Sequence, residues 1–204
     1  MKYINTFESN RTDDILIIVD VQKSFKKYFT DNYVKELKKY CNEFDEVFQI
    51  WDNHINGKVG NEYLFDHDPE INIGQDLYHF PNQTEIIEKR YNYDVSVDYY
   101  KKILDKNTYD NIKKKESNDK LIKGEMFKTT KGTAIVYIGN NHKWFQIPKK
   151  LYKRLSNDKY RRYVIVGGSD TECLEDVYIS SKSIGVDISR NKGYIYSGKN
   201  CPIK

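Results

Sequence analysis

Five consecutive aliphatic residues, 15–19 in "DILIIVDVQKSF", stand between Asp14 and Asp20. A run this short, β-branched and free of polar alternation suits a strand buried on both faces, the usual condition of a parallel sheet. A parallel neighbour requires a crossover connection, and the next segment can supply one. In "DNYVKELKKYCNEF", Tyr33, Leu37, Tyr40, Cys41 and Phe44 share one helical face, with Asp31 or Asn32 as N-cap. "EVFQIW" (46–51) follows as a second strand, so the first fifty residues read β-α-β.

Residues 53–81 are rich in turn formers and read as an extended loop, and "TEIIEK" (84–89) as a third strand. Residues 94–123 are very polar, with the best helical pattern at 97–104 and a loose Lys/Asn/Asp segment after it. "TAIVYIGNNHKWFQIP" reads as a β-hairpin, with strands at 134–138 and 143–147 around Gly139-Asn140-Asn141. Pro148 suits the first position of a helix carrying Leu151, Tyr152 and Leu155. "YVIVGG" repeats the buried-strand pattern, a helix opens near Cys173 and ends near Gly185, and "VDISR" and "GYIYSG" read as two short strands. The fold class is therefore α/β: a Rossmann-like three-layer αβα sandwich with a mostly parallel sheet, in one domain spanning 1–204. A polar segment and a hairpin lie late in the middle of the chain.

With 204 residues, 38% apolar, the chain can bury one full core. Its 34 basic residues are offset by 30 acidic ones, for a net charge of +4. That mixture argues against a nucleic-acid binder. Cys41, Cys173 and Cys201 are odd in number and lack CxxC spacing, which argues against a disulfide framework or a structural zinc site. No run approaches a membrane span and the N-terminal residues lack an apolar leader core, so a cytoplasmic protein is expected, in the host cytoplasm if the source is viral.

Ligands of open parallel α/β sheets bind at the carboxyl ends of the strands. Asp20 ends the first strand, Lys89 the third, and Cys173 follows the Gly-rich turn after "YVIV". Singly, each has a structural reading: a turn cap, a solvated strand end, a small buried helix residue. Together they place a base, a cation and a nucleophile on one rim. A cysteine at a helix N-terminus, beside an ammonium, is expected to have a lowered thiol pKa. A carboxylate can take its proton, and the Gly167-Gly168-Ser169 turn can offer N–H donors to an oxyanion.

These segments resemble three motifs of the isochorismatase-like cysteine hydrolases, a superfamily that includes nicotinamidases and N-carbamoyl amide hydrolases. "ILIIVDVQKSF" carries the aliphatic run and D-x-Q-x-x-F. "EKRYNYD" looks like the lysine followed by an aromatic, and "VIVGGSDTECLEDV" like the strand, G-x-x-x-x-x-C and helix. The resemblance implies a catalytic triad of Asp20, Lys89 and Cys173. It also implies a cis peptide between Gly168 and Ser169, an oxyanion hole from the N–H groups of Ser169 and Cys173, and a pocket containing Gln22, Phe25, Tyr91 and Gly168. The implied activity is hydrolysis of a small-molecule amide, nicotinamide-like or carbamoyl, through a thioester. A vinyl-ether hydrolase or a catalytically silent binding protein are the alternatives, and a homo-oligomer is the implied assembly.

Nicotinamidases also carry D-x-H after the second strand, within a metal site. Asp52 and His54 fit that spacing, and His67, with His79 as competitor, would complete a set suited to Zn²⁺, Fe²⁺ or Mn²⁺. In members without metal the same pair orders the loop. The chain departs from the family in the length between Lys89 and Cys173, in Asn92, Tyr93 and Asp94 after the lysine, and in lacking a final helix. The resemblance implies that the excess, around 105–144, is an insertion.

Overall fold

The computed structural model describes residues 12–52, 73–89, 104–130, 132–139, 144–198 and 200–204. In chain order it begins with β1 (Thr12–Val19), a 3-10 helix (Lys23–Tyr28), α1 (Asp31–Cys41), β2 (Phe44–Asp52), the single turn α2 (Ile73–Asp76) and β3 (Gln83–Lys89). Then come α3 (Lys106–Ser117), β4 (Met126–Lys128), β5 (Thr133–Tyr137), β6 (Trp144–Pro148) and α4 (Lys149–Asn157). Strand β7 (Arg162–Gly167), helix α5 (Cys173–Ser183) and strand β8 (Asp187–Ile195) complete it.

The central sheet has the order β3-β2-β1-β7-β8, and every neighbouring pair is parallel. Both faces of β1 are covered, which is why its apolar run has no polar alternation. Ile15, Ile17 and Val19 face a core shared with Leu151 and Leu155 of α4 and Leu174 and Val177 of α5. Leu16 and Ile18 face the opposite core, with Tyr33, Val34, Leu37 and Cys41 of α1. The architecture is α/β, with helices on both faces of a parallel sheet. Among the described residues, no helix is long and apolar enough to cross a membrane.

The stretch from Leu104 to Pro148 is more ordered than its composition suggests. Strands β4, β5 and β6 form a three-stranded antiparallel sheet. One face, through Ala134, Val136 and Ile147, joins the main core beside α5. The other, through Phe127, Ile135 and Trp144, packs with Leu104 and Ile112. Residues 106–117, expected to be loose, form α3: the Asp105 carboxylate caps the backbone N–H of Thr108, and Ile112 alone is buried. The helical pattern at 97–104 falls outside the described residues except for Leu104.

Several boundaries differ from the sequence reading. Phe44, expected on the helical face of α1, instead opens β2 after α1 ends at Cys41. The N-cap of α1 is Thr30, whose hydroxyl accepts from the Tyr33 N–H at 3.0 Å, and Asp31 lies in the first turn. Pro148 ends β6 and serves as N-cap residue of α4. Residues 187–190 of "VDISR" and 193–195 of "GYIYSG" belong to one strand, β8, whose pairing shifts register between Ile165 and Gly167 of β7.

Truncating Ile17, fully buried in the main core, to Ala is expected to cost about 2–5 kcal/mol of unfolding free energy. Ile122→Ala, at a position 69% exposed, is expected to stay within about 0.5 kcal/mol. Urea denaturation of both variants checks the contrast.

Candidate active site

From β1 the chain steps outward through β2 to β3, then returns to place β7 and β8 on the other side of β1. The order of the sheet thus reverses between β1 and β7, and the carboxyl ends at such a point form a crevice. Register decides what lines it. Val19 lies opposite both Ile50 and Gly167, while Asp52 lies opposite Lys89. Asp20, Asp52, Lys89 and the turn after Gly167 therefore meet at one rim.

Asp20, Lys89 and Cys173 are 2%, 5% and 7% exposed. The Lys89 ammonium lies 2.6 Å from Asp20 Oδ2 and 3.0 Å from Asp52 Oδ2. One ligand atom from each of Asp20, Asp52 and Cys173 falls within 4.8 Å of the others. Burial raises the Asp20 carboxyl from its ordinary 3.8 to about 6, against the downward pull of Lys89 and with Asp52 pushing the same way as burial. Burial works against the Lys89 cation, but Asp20 and Asp52 outweigh it and hold the ammonium well above its usual range. The second Asp20 oxygen, Oδ1, is buried without a hydrogen-bond partner among the described residues.

The turn between β7 and α5 is built by two different steric demands. Gly167 has φ +102, and a Cβ there would overlap the Val19 carbonyl of the adjoining strand. A Cβ on Gly168 would overlap the ring of Tyr196. These contacts, more than any need to present N–H groups, account for the glycine pair. The Gly168–Ser169 peptide is cis, and the Ser169 carbonyl accepts from the N–H groups of Glu172 and Leu174 at 3.1 and 3.2 Å. Arg190 braces the turn from β8: its guanidinium lies 3.0 Å from Asp170 Oδ1 and over the Tyr178 ring of α5.

Cys173 opens α5, as the sequence reading requires, but the expected low thiol pKa is not found. Burial pushes the thiol well above 9; Lys89 draws it down, and Asp20 and Asp52 push it up again. The pull of the one ammonium is outweighed by desolvation and two carboxylates. Glu172 is the residue before the helix, half-buried, with its carboxyl raised by burial and drawn down by Lys89.

Gln22 is 1% exposed and committed to the backbone of Asp52, donating to its carbonyl and accepting from its N–H, both at 2.9 Å. Its amide also donates to Asp76 Oδ2 at 2.8 Å, and that carboxylate accepts from Trp51 Nε1 and the Ser24 backbone. Asp76 is a hub the sequence reading missed, having no motif around it. Phe25 lies in the core on the α1 side, in the same cluster as Tyr196. Tyr91, His54 and His67 lie outside the described residues.

Of the three residues proposed as metal ligands, Asp52 alone is described. Its carboxylate lies beside the Lys89 ammonium, which already supplies the cationic charge that Asp20 and Asp52 need. The Asp20–Asp52–Cys173 cluster therefore does not fit a divalent ion at the same point. A cavity of about 10 Å³, the room of about one water molecule, is lined by Lys89, Cys173, Asp176 and, from the three-stranded sheet, Thr133, Gln146 and Ile147.

Neither a family model nor a curated protein matches this sequence. Among solved structures, the chain is similar to a nicotinamidase from Staphylococcus aureus, with 17% identity and a TM-score of 0.38 over 93% of this chain and 87% of that one. A likeness at this level carries no functional conclusion.

With its folded value near 6 and its ordinary value near 3.8, Asp20 binds a proton more tightly in the folded state. The stability this contributes is full below about pH 3.8 and is lost as pH rises through about 6. Across that interval the urea midpoint of the wild type is expected to fall relative to that of Asp20→Asn. A constant difference between the two contradicts a raised Asp20.

Proposed function

We propose that the chain is a cysteine-dependent hydrolase of a small amide, of the isochorismatase-like type, working through a thioester. The observation that carries this reading is the convergence of a buried carboxylate, a buried ammonium and a thiol at the sheet's switch point. Because the resting thiol is protonated, attack needs a base. Asp20, ionised above about pH 6, takes the thiol proton as Sγ of Cys173 bonds to the amide carbon.

The carbonyl π electrons move to oxygen, and the N–H groups of Ser169 and Cys173 are the donors assigned to that oxyanion. Collapse of the tetrahedral adduct breaks the C–N bond, and Asp20 returns its proton to the departing nitrogen. Water then attacks the thioester, Asp20 accepts a proton from it, and the thiol leaves with that proton. Lys89, which stays charged, holds Asp20 in place and favours its ionised form; it is no proton shuttle.

The small cavity beside the thiol, walled in part by the three-stranded sheet, favours a second reading: a protein that keeps the fold and binds without turnover. Nicotinamide and simple N-carbamoyl amino acids are suitable first probes, with ammonia release and intact-protein mass as readouts. The hydrolase reading expects turnover or an acyl adduct on Cys173, and a loss of at least about a thousandfold in Cys173→Ala. Turnover that survives Cys173→Ala overturns it, and ligand binding with neither turnover nor adduct supports the silent protein.

A further inference from the structure

Tyr196 follows β8 at the chain's last strand exit and is 3% exposed. Its hydroxyl donates to the backbone carbonyl of Asp20 at 2.7 Å. Its ring occupies the space that a side chain at Gly168 would need. Its own backbone clasps the same turn: its N–H donates to the Gly167 carbonyl at 2.9 Å, and its carbonyl accepts from the Asp170 N–H at 3.2 Å. One residue therefore touches the backbone of the base and the turn that leads to the thiol.

Asp20 has particular need of such a contact. It leaves β1 with φ +55, a left-handed conformation that a non-glycine residue adopts only when its surroundings enforce it. On its N–H side Asp20 donates to the Ile50 carbonyl at 3.0 Å, and on its carbonyl side the tether is the Tyr196 phenol. The two bonds fix both peptide planes flanking the Asp20 Cα, and with them the direction in which its side chain leaves the backbone towards Lys89. Tyr196 is itself held by aromatic neighbours: ring centroids of Phe29 and Tyr33 lie 5.3 and 6.0 Å from its own, and Tyr28 stacks at 6.4 Å. Burial keeps the phenol well above its usual pKa, so it remains a donor at any working pH.

We infer that Tyr196 is a positioning residue that sets the Asp20 carboxylate against the Cys173 thiol by locking the left-handed exit of β1 to the Gly167–Asp170 turn. The inference rests on the base role of Asp20 proposed above. Tyr196 touches no reacting atom in this account; it acts through the Asp20 backbone.

The test uses the 204-residue chain and iodoacetamide as the probe, with the rate of carbamidomethylation at Cys173 followed by peptide mass spectrometry. Tyr196→Phe keeps the ring and removes the donor. It is expected to slow Cys173 alkylation on the order of tenfold, with a wild-type circular dichroism spectrum. In an Asp20→Asn background, already slow, the same change is expected to have no further effect. A Tyr196→Phe variant that reacts at the wild-type rate, or that slows equally in both backgrounds, overturns the positioning role. If Asp20→Asn alone leaves the rate unchanged, the base role falls and the inference falls with it, so the two failures are distinguishable.

Discussion

A lysine with almost no access to solvent keeps its charge only when matched by negative charge, because an unpaired buried ammonium gives up its proton instead. Lys89 meets that condition through Asp20 and Asp52, at 2.6 and 3.0 Å. The three residues come from β1, β2 and β3, so the ion cluster forms only when all three strands pair in their observed register. A slip of one residue turns a side chain to the opposite face of the sheet, leaving a charge in the apolar core. The cluster therefore selects register as well as forming the rim of the candidate site.

The same electrostatics decide the state of the thiol. Two carboxylates and burial oppose a thiolate at Cys173, and one ammonium cannot offset them. The site is consequently arranged as a protonated thiol beside a carboxylate whose own pKa has risen to about 6. Such a carboxylate is a better base than an exposed one and is still largely ionised at neutral pH. Gln22 and Asp76 hold the β2 end of this arrangement, and Tyr196 and Arg190 the turn after β7, so the groups of the proposed triad are flanked by neighbours outside it.

Much of the parallel sheet was legible, because a strand buried on both faces must be apolar at consecutive positions, and residues 15–19 and 163–166 are. The strand ends then pointed to Asp20, Lys89 and Cys173 without any knowledge of the sheet order. Helix α3 was not legible: it covers one side of a small three-stranded sheet and needs only Ile112 fully inside, too little for a periodic pattern. Strand β8 read as two pieces because Asn191, Lys192 and Gly193 interrupt it with polar and flexible residues. The Tyr196 bond to Asp20 spans 176 positions, and the thiol's elevated pKa depends on burial that only the folded chain creates. Tertiary proximity and desolvation are both invisible to local pattern.

The protonated resting thiol is the central claim, and it can be measured directly. The ultraviolet absorbance of the thiolate, taken as the difference between wild type and Cys173→Ser across a pH titration, reports the ionisation of Cys173 alone. The account predicts no thiolate step at or below neutral pH, with ionisation above that of an ordinary cysteine. A step in the acidic range would contradict it, showing a preformed thiolate and leaving Asp20 without a proton to take.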